Sequence, residues 1–267
     1  METPGIDAYS PREVASLVRD GGLTKARLDL LTMFVLAVVA GAFIGLGALF
    51  FIVVSTDPSG SYGVSRLLGG IAFSLGLILV VVAGAELFTG NNLIAMAWAS
   101  RLITSRQLVR NWIVVYIGNA VGAVGTVALV LVSEVDDYAG GAVGEKAIAI
   151  AEGKAGLGIV QAVALGILCN ALVCLAVWLA MAGRSLIDKV AAIIFPITAF
   201  VAIGFEHSIA NMFFLPYGIA LQESDDLVSG ALSNLAAVTV GNIIGGSLLV
   251  AGVYWLAYLR PATRRIG

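Results

Sequence analysis

The chain has 267 residues, of which 60% are hydrophobic and 12% are charged, and its formal net charge is −2. Its mean hydropathy is +1.00, whereas soluble domains have about 45–50% apolar and about 25% charged residues. This composition excludes an ordinary soluble domain, gives no support to nucleic-acid binding, and predicts a protein that crosses a membrane several times.

The first 28 residues are expected to form a cytoplasmic helix. They carry scattered charges and contain no short apolar run that ends in small residues, which a signal peptide requires. Ser10-Pro11-Arg12-Glu13 fits a capping box with proline at the first helical position. Val14, Leu17 and Val18 then form an apolar stripe. The helix is predicted to lie against the inner membrane face or the pore domain, with a gating role as the alternative.

Six apolar segments follow, and each has the ~20 residues needed to cross a hydrocarbon core of about 30 Å. Four Lys and Arg residues precede the first segment, three follow the second, two follow the fourth and three follow the sixth, whereas the remaining loops hold three. Because short cytoplasmic segments are rich in Lys and Arg, both termini are predicted to be cytoplasmic, with 260–267 as a short tail. The spans of this pore domain, 29–259, are predicted at 29–55, 67–99, 108–132, 156–183, 190–215 and 231–259.

Polar interruptions in the second and fifth spans reveal an internal repeat. The segment from Glu86 to Asn91 returns as Glu206 to Asn211 at an offset of 120, and Gly118-Asn119 returns as Gly241-Asn242 at an offset of 123. A repeat of three spans starts its second copy on the opposite side of the membrane. The pattern predicts an all-α membrane protein with two inverted three-helix repeats, whose second and fifth helices are broken near the transport site.

The breaks are expected to line a conduction pathway, because irregular backbone at that depth survives only within protein or beside water. His207 is the only histidine and adjoins Glu206, and such intramembrane titratable groups mark transport pathways. Glu86 and Glu206 are expected to accept hydrogen bonds from the N–H groups that the breaks free, a role favoured over proton transfer. Because the phosphate-binding pattern Gly-x-x-x-x-Gly-Lys-Ser/Thr does not occur, transport should be passive or coupled to protons.

Two hypotheses of other classes stand beside transport. An intramembrane enzyme could use His207 as a general base near Glu206, but no serine, cysteine or second acid completes a recognisable catalytic constellation. A membrane sensor or scaffold would not require paired broken helices. One histidine with Cys169 and Cys174 offers no tetrahedral metal site, so no metal or cofactor is expected.

These motifs resemble the signatures of the formate/nitrite transporter family. The similarity covers most of the chain and lies in Ala85–Asn91 of the second span, Gly204–Met212 of the fifth, Asn111-Trp112, Tyr116–Asn119, Gly183–Lys189 and Val240–Gly246. It implies an aquaporin-like protomer of six spans, assembled as a homopentamer in the inner membrane, with one pore in each subunit.

The resemblance also implies roles for individual residues. His207 would stand between two apolar constrictions, with Thr89 within hydrogen-bonding reach, while Asn170, Asn242 and Lys154 match polar positions along the path or at its outer mouth. Gly90-Asn91-Asn92 after Thr89 differs from the serine-containing version of formate channels. The residues that resemble the constriction lining are Phe73, Leu77, Phe88, Val173 and Phe200.

Two mechanisms suit such a pore, since a bare anion would pay a large desolvation cost in an apolar constriction. In the first, Lys154 attracts a small weak-acid anion, which gains a proton near His207 and crosses as a neutral molecule. In the second, His207 stays uncharged as a dipole and the acid is protonated in the outer vestibule. Formate is the first choice of substrate and nitrite the second, with hydrosulfide, acetate and lactate behind them.

Overall fold

The computed structural model of the protein describes residues 8–56, 61–222 and 226–260, and these residues are almost entirely helical. After α11 the last helix continues with π-helical geometry over Ile244–Gly252 and Trp255–Leu259. The α-helices are α1 (Pro11–Ala26), α2 (Leu30–Val54), α3 (Tyr62–Ala83), α4 (Phe88–Asn91), α5 (Ala95–Ala99), α6 (Ser105–Val132), α7 (Ala142–Ala155), α8 (Ile159–Ala182), α9 (Leu186–Ile203), α10 (Ser208–Gln222) and α11 (Asp226–Ile243).

Six helices of the described chain are long and apolar enough to cross a membrane, which confirms the predicted number of spans. They are α2, α3, α6, α8, α9 and the last helix, Leu227–Leu259. The second span starts at Tyr62, earlier than the predicted residue 67, and α3 ends at Ala83 before α4 and α5 complete the segment. The fifth span starts at Leu186 rather than 190, because the Ser185 hydroxyl accepts a hydrogen bond from the N–H of Asp188 and caps the helix there.

The helix predicted near the N-terminus is α1, and its capping box is present. Glu13 accepts hydrogen bonds from the backbone N–H and the hydroxyl of Ser10 at 2.8 and 2.6 Å, which lower the pKa of the Glu13 carboxyl. Val14 and Val18 are buried against the residues around α5 and α8. Leu17 is 36% exposed and departs from the predicted stripe. Residues 261–267 of the predicted tail lie outside the described residues.

Helix α7 was not predicted, since its 14 residues are too few for a span and its segment was assigned to an outer loop. It begins after Gly141, a glycine with a left-handed φ of 90°, and packs on α10 and α11. α1 and α7 occupy equivalent places before α2 and α8, and each has a lysine in its last turn, Lys25 and Lys154. Each repeat therefore consists of one short helix followed by three spans.

The spans of each repeat approach closely at small residues, as glycines spaced four apart allow in lipid. A Cβ on Gly122 of α6 would overlap the carbonyl oxygen of Val38 in α2. In the second repeat, a Cβ at Gly245 would overlap the carbonyl oxygen of Ile167 in the same way. Backbone-to-backbone contact at these two crossings therefore sets the distance between the helices that carry the site.

We expect Gly122→Ala to lower the stability of the detergent-solubilised protein by about 1–3 kcal/mol, the usual cost of overpacking, because α2 and α6 must move apart. The control is Gly125→Ala on the same helix, where an added Cβ meets no atom within 4 Å. Thermal unfolding followed by circular dichroism measures both. An equal loss in the control would attribute the effect to helix flexibility instead of the crossing.

Candidate functional site

Two helices are interrupted at matching places in the interior of the bundle. Gly84 follows the end of α3 and Gly204 follows the end of α9, and these glycines have left-handed φ angles of 80° and 90°. Glycine adopts this conformation without the strain that a Cβ would add, so it ends a helix sharply. After three non-helical residues the chain resumes as α4 and α10, which leaves unpaired backbone groups inside the bundle.

Asn119 of α6 satisfies the backbone of the first break. Its Oδ1 accepts a hydrogen bond from the N–H of Phe88 at 2.9 Å, and its Nδ2 donates to the carbonyls of Ala37 and Glu86 at 2.7 and 2.9 Å. The prediction that the Glu86 carboxylate accepts from the freed N–H groups is therefore wrong. An amide does so because it offers an acceptor and two donors at once.

Asn242 makes the same contacts at the second break. Its Oδ1 accepts from the N–H of Ser208 at 2.9 Å, and its Nδ2 donates to the carbonyls of Gly166 and Glu206 at 2.8 and 3.0 Å. The side chain is fully buried. Asn242 therefore lies beside the pathway and holds the break, instead of facing a transported molecule, and the prediction for the Glu206 carboxylate is also wrong.

The carboxylate of Glu86 is instead part of a buried network. Lys25 Nζ of α1 lies 2.5 Å from its Oε1, and Asn91 Nδ2 donates to its Oε2 at 2.7 Å. Asn91 also donates to Asn111 Oδ1 at 3.0 Å. Lys25 was absent from the predicted site, although Lys25-Ala26 and Lys154-Ala155 repeat at an offset of 129 and could have identified it.

Glu206 has the equivalent partners in the second repeat. Lys154 Nζ of α7 lies 2.8 Å from its Oε1, and Asn211 Nδ2 donates to its Oε2 at 2.7 Å. Asn211 also donates to Asn234 Oδ1 at 2.8 Å. Both glutamates are 4% exposed, so each buried negative charge is matched by a lysine and an asparagine, as buried ions require.

Two cavities enter the bundle from opposite ends of α3. The α7-side cavity has a volume of about 410 Å³ and is lined by residues that include Arg66, Phe73, Lys154, Phe200, Glu206 and His207. The α1-side cavity has a volume of about 350 Å³ and is lined by residues that include Lys25, Leu77, Glu86, Leu87, Val177 and Lys189.

A short apolar barrier separates these cavities. Phe73 lines the α7-side cavity and Leu77 lines the α1-side cavity, and the two are one helical turn apart on α3, about 6 Å along the axis. Phe73 also packs edge-on against Phe200, with ring centroids 5.6 Å apart. Val173 is buried one turn before Val177 on α8. Of the five predicted constriction residues, Phe73 and Phe200 line the α7-side cavity, Leu77 lines the α1-side cavity, and Val173 lies on α8 without lining either.

His207 lies at the barrier with both ring nitrogens in hydrogen bonds. Its Nδ1 accepts from the backbone N–H of Ala210 at 3.0 Å, and its Nε2 lies 2.9 Å from Thr89 Oγ1. Because Nδ1 acts as an acceptor, the neutral ring carries its proton on Nε2 and donates it to Thr89. The ring also stacks on Phe200, at 5.9 Å between centroids. A cationic ring would lose the hydrogen bond from Ala210.

One predicted constriction residue, Phe88, has other surroundings. The ring of Phe88 packs against Trp112 and Tyr116 of α6 instead of lining a cavity, and Leu87 takes its place beside Leu77. Leu87 and Phe88 are adjacent apolar residues next to the break. Sequence alone could not show which of the two side chains lines the cavity.

Asn170 and Asn92 link the first break to the other repeat. Asn170 Nδ2 donates to the carbonyls of Thr89 and Asn242, at 3.2 and 2.7 Å. Asn92, part of the departure from the serine-containing motif, is buried and accepts from the Ser247 hydroxyl at 3.0 Å. Asn92 therefore faces the last helix, whereas Gly90 and Asn91 of the same motif line the α1-side cavity.

An all-helical bundle with six spans, two interrupted helices and two cavities facing a short barrier is the architecture of a membrane channel or transporter. Residues 12–256 match the family described as formate/nitrite transporter, and the chain belongs to this family. This membership confirms the resemblance and the predicted fold class. It also confirms that the protein is a transport protein and not an enzyme.

Similar proteins cover nearly the whole chain. It is 42% identical to the formate channel FocA of Escherichia coli (strain K12) over 96% of both chains. It is 38% identical to the formate channel FocA of Haemophilus influenzae over 92% of this chain and 93% of that protein. A solved pentameric formate channel with formate bound is 45% identical to this chain and superposes on it with a TM-score of 0.81. The match covers 86% of this chain and 98% of the solved chain. A solved FNT family ion channel is 30% identical, with coverage of 92% and 98% and a TM-score of 0.82.

Replacing Asn242 with Leu should destabilise the protein, because it leaves the Ser208 N–H and two carbonyls without their partner. Each unpaired buried group costs about 1–3 kcal/mol. Asn119→Leu should cost a similar amount, since it removes the same three contacts from the other break. Thermal unfolding measures both, with the exposed Gln161→Leu as control. An unchanged unfolding temperature of Asn242→Leu would contradict the conclusion that Asn242 holds the break.

Lys154→Met should destabilise the protein by about 3–5 kcal/mol, because it leaves the Glu206 charge buried and unpaired. The double variant with Glu206→Gln should recover part of that loss. Lys25→Met should cost less, since the Lys25 side chain is 38% exposed and the Lys154 side chain is 15% exposed. A double-mutant cycle followed by thermal unfolding measures the coupling. Additive losses would show that the two side chains act independently.

Proposed function

We propose that this chain transports a small monovalent weak acid, with formate as the preferred substrate, through one pore in each subunit of a homopentamer. Support comes from the two FocA relatives, which are named formate channels, and from the solved relative, which is a pentamer with formate bound. Lys and Arg are concentrated in the segments on the same side of the membrane as both termini, and such segments are cytoplasmic. The α1-side cavity therefore faces the cytoplasm, and the α7-side cavity is the outer vestibule of an inner-membrane protein.

The apolar barrier supports proton-coupled passage over passage of a bare anion. The path between the cavities is bordered by Phe73 and Phe200 on one side and by Leu77 and Leu87 on the other. An ionised carboxylate without partners pays a large free energy to enter such surroundings, whereas the neutral acid does not. The substrate therefore crosses as the protonated acid, and the proton crosses with it.

The hydrogen bond from Ala210 to His207 Nδ1 carries our choice between the two mechanisms. A relay would require His207 to gain a second proton on Nδ1, which would break the cap of α10 in a buried site. We therefore assign His207 the role of a neutral dipole: its Nε2–H binds Thr89 Oγ1 and leaves the threonine proton free to donate to the substrate. The acid gains its proton from water in the outer vestibule, and no charge forms on the ring.

His207→Asn should preserve formate flux within about tenfold, the effect of one weakened hydrogen bond, with the same pH dependence as the wild type. Asparagine can cap α10 and donate an N–H, but it does not titrate. His207→Phe, which offers neither group, should lose most of the flux. Liposomes with an internal pH dye measure the coupled entry of acid and proton. A changed pH profile in His207→Asn would support the relay instead.

The same liposomes test the substrate. Equal gradients of formate, nitrite, hydrosulfide, acetate and lactate are applied to the wild-type protein, and we expect the fastest dye response with formate. A faster response to nitrite or hydrosulfide would retain the mechanism and change the substrate. No response to any of the five acids would contradict the proposed function.

A further inference from the structure

Each cavity contains one lysine whose charge is already matched. Lys154 lies 2.8 Å from Glu206 in the α7-side cavity, and Lys25 lies 2.5 Å from Glu86 in the α1-side cavity. An incoming anion could take either lysine only by displacing a buried carboxylate, which would then lack a counter-charge. The local charge that these pairs present to an anion is therefore close to zero.

The α7-side cavity contains a second cation, Arg66 of α3, which is half-buried. Its Nε donates to the carbonyl of Ala202 at 2.8 Å, which fixes the guanidinium. A Cβ on Gly204 would lie 2.8 Å from a terminal nitrogen of Arg66, so the group rests on the break three residues before His207. Within the described parts of the chain, no carboxylate pairs with Arg66, which lines the same cavity as His207.

The α1-side cavity has a corresponding residue, Lys189 in the first turn of α9. The neighbouring Asp188 is occupied, since its carboxylate accepts from the backbone N–H groups of Arg184 and Ser185 at 3.1 and 2.9 Å. Residues 8–56, 61–222 and 226–260 contain no ion partner for Lys189. Each vestibule thus combines one paired lysine with one cation that lacks a carboxylate.

We propose that Arg66 and Lys189 bind the transported anion in the two vestibules and deliver it to the barrier. The proposal rests on the proposed function and specifies where the anion waits before it is protonated. The fixed guanidinium of Arg66 offers two N–H groups in the fork that matches the two oxygens of a carboxylate or nitrite. Lys189 offers a point charge, which attracts the anion with less geometric selection. Both cations raise the local concentration of the anion on their own side.

The two sides are tested separately in membrane vesicles from cells that express the full chain and lack other formate transporters. Right-side-out vesicles expose Arg66 to added formate, and inside-out vesicles expose Lys189. Arg66→Gln should raise the half-saturating formate concentration about tenfold in right-side-out vesicles, the value of one charge-assisted hydrogen bond, and leave maximal flux nearly unchanged. Lys189→Gln should raise the half-saturating formate concentration in inside-out vesicles.

Three controls identify the cause of any change. Lys146→Gln removes a positive charge from α7 without altering the residues that line the cavity, so it should leave saturation unchanged. Arg66→Lys should recover part of the affinity, because the charge is retained but the two-pronged donor of the guanidinium is lost. Size-exclusion chromatography checks that each variant keeps the wild-type oligomer, and variants that do not are excluded from the comparison.

The outcomes separate this proposal from the proposed function. The absence of formate flux in vesicles with the wild-type chain would contradict the proposed function itself. Wild-type flux with an unchanged half-saturating concentration in Arg66→Gln and Lys189→Gln overturns the anion-binding assignment alone. An equal change in Lys146→Gln also overturns it, since the effect would then arise from the overall surface charge.

Discussion

The constraint on which the structure depends is the cost of interrupting a helix inside a bilayer, where each unsatisfied backbone group costs several kcal/mol. Asn119 and Asn242 meet that cost by binding an N–H on one side of each break and carbonyls on the other. The glycine crossings of α2 with α6 and of α8 with the last helix bring these amides within reach. The break, its clamp and the close packing therefore form one unit, and the pore geometry follows from it.

The buried glutamates connect this unit to the two short helices outside the spans, α1 and α7. Each carboxylate binds an asparagine from the helix that follows the break and a lysine from a short helix that lies outside the spans, α1 or α7. Because each buried carboxylate takes its counter-charge from one of these lysines, α1 and α7 are parts of the site. The transported anion consequently meets lysines that are already neutralised, and an excess positive charge must come from other side chains.

Sequence predicted most of this architecture because paired offsets are visible without coordinates. Offsets of 120 and 123 located the breaks and asparagines, the single histidine in a membrane span located His207, and motif resemblance located Thr89. The third offset, 129, joins α1 to α7 and is marked only by Lys25-Ala26 and Lys154-Ala155, a match too short to predict a repeat. Spacing also could not show which side-chain atoms meet. It therefore assigned the break N–H groups to the wrong side chains and Phe88 to the barrier, although its ring points toward α6.

The scaffold is nearly symmetric, and the site is where the symmetry fails. At the offset of 120, His207 corresponds to Leu87, and Thr89 corresponds to Ile209. One break therefore contributes an imidazole and the other a hydroxyl, and these meet across the barrier at 2.9 Å. Each exchanged residue is apolar in the other copy, so the α1-side cavity is lined by Leu87 where the α7-side cavity is lined by His207. A molecule that enters the α7-side cavity therefore meets an imidazole before the leucines, whereas one that enters the α1-side cavity meets the leucines first.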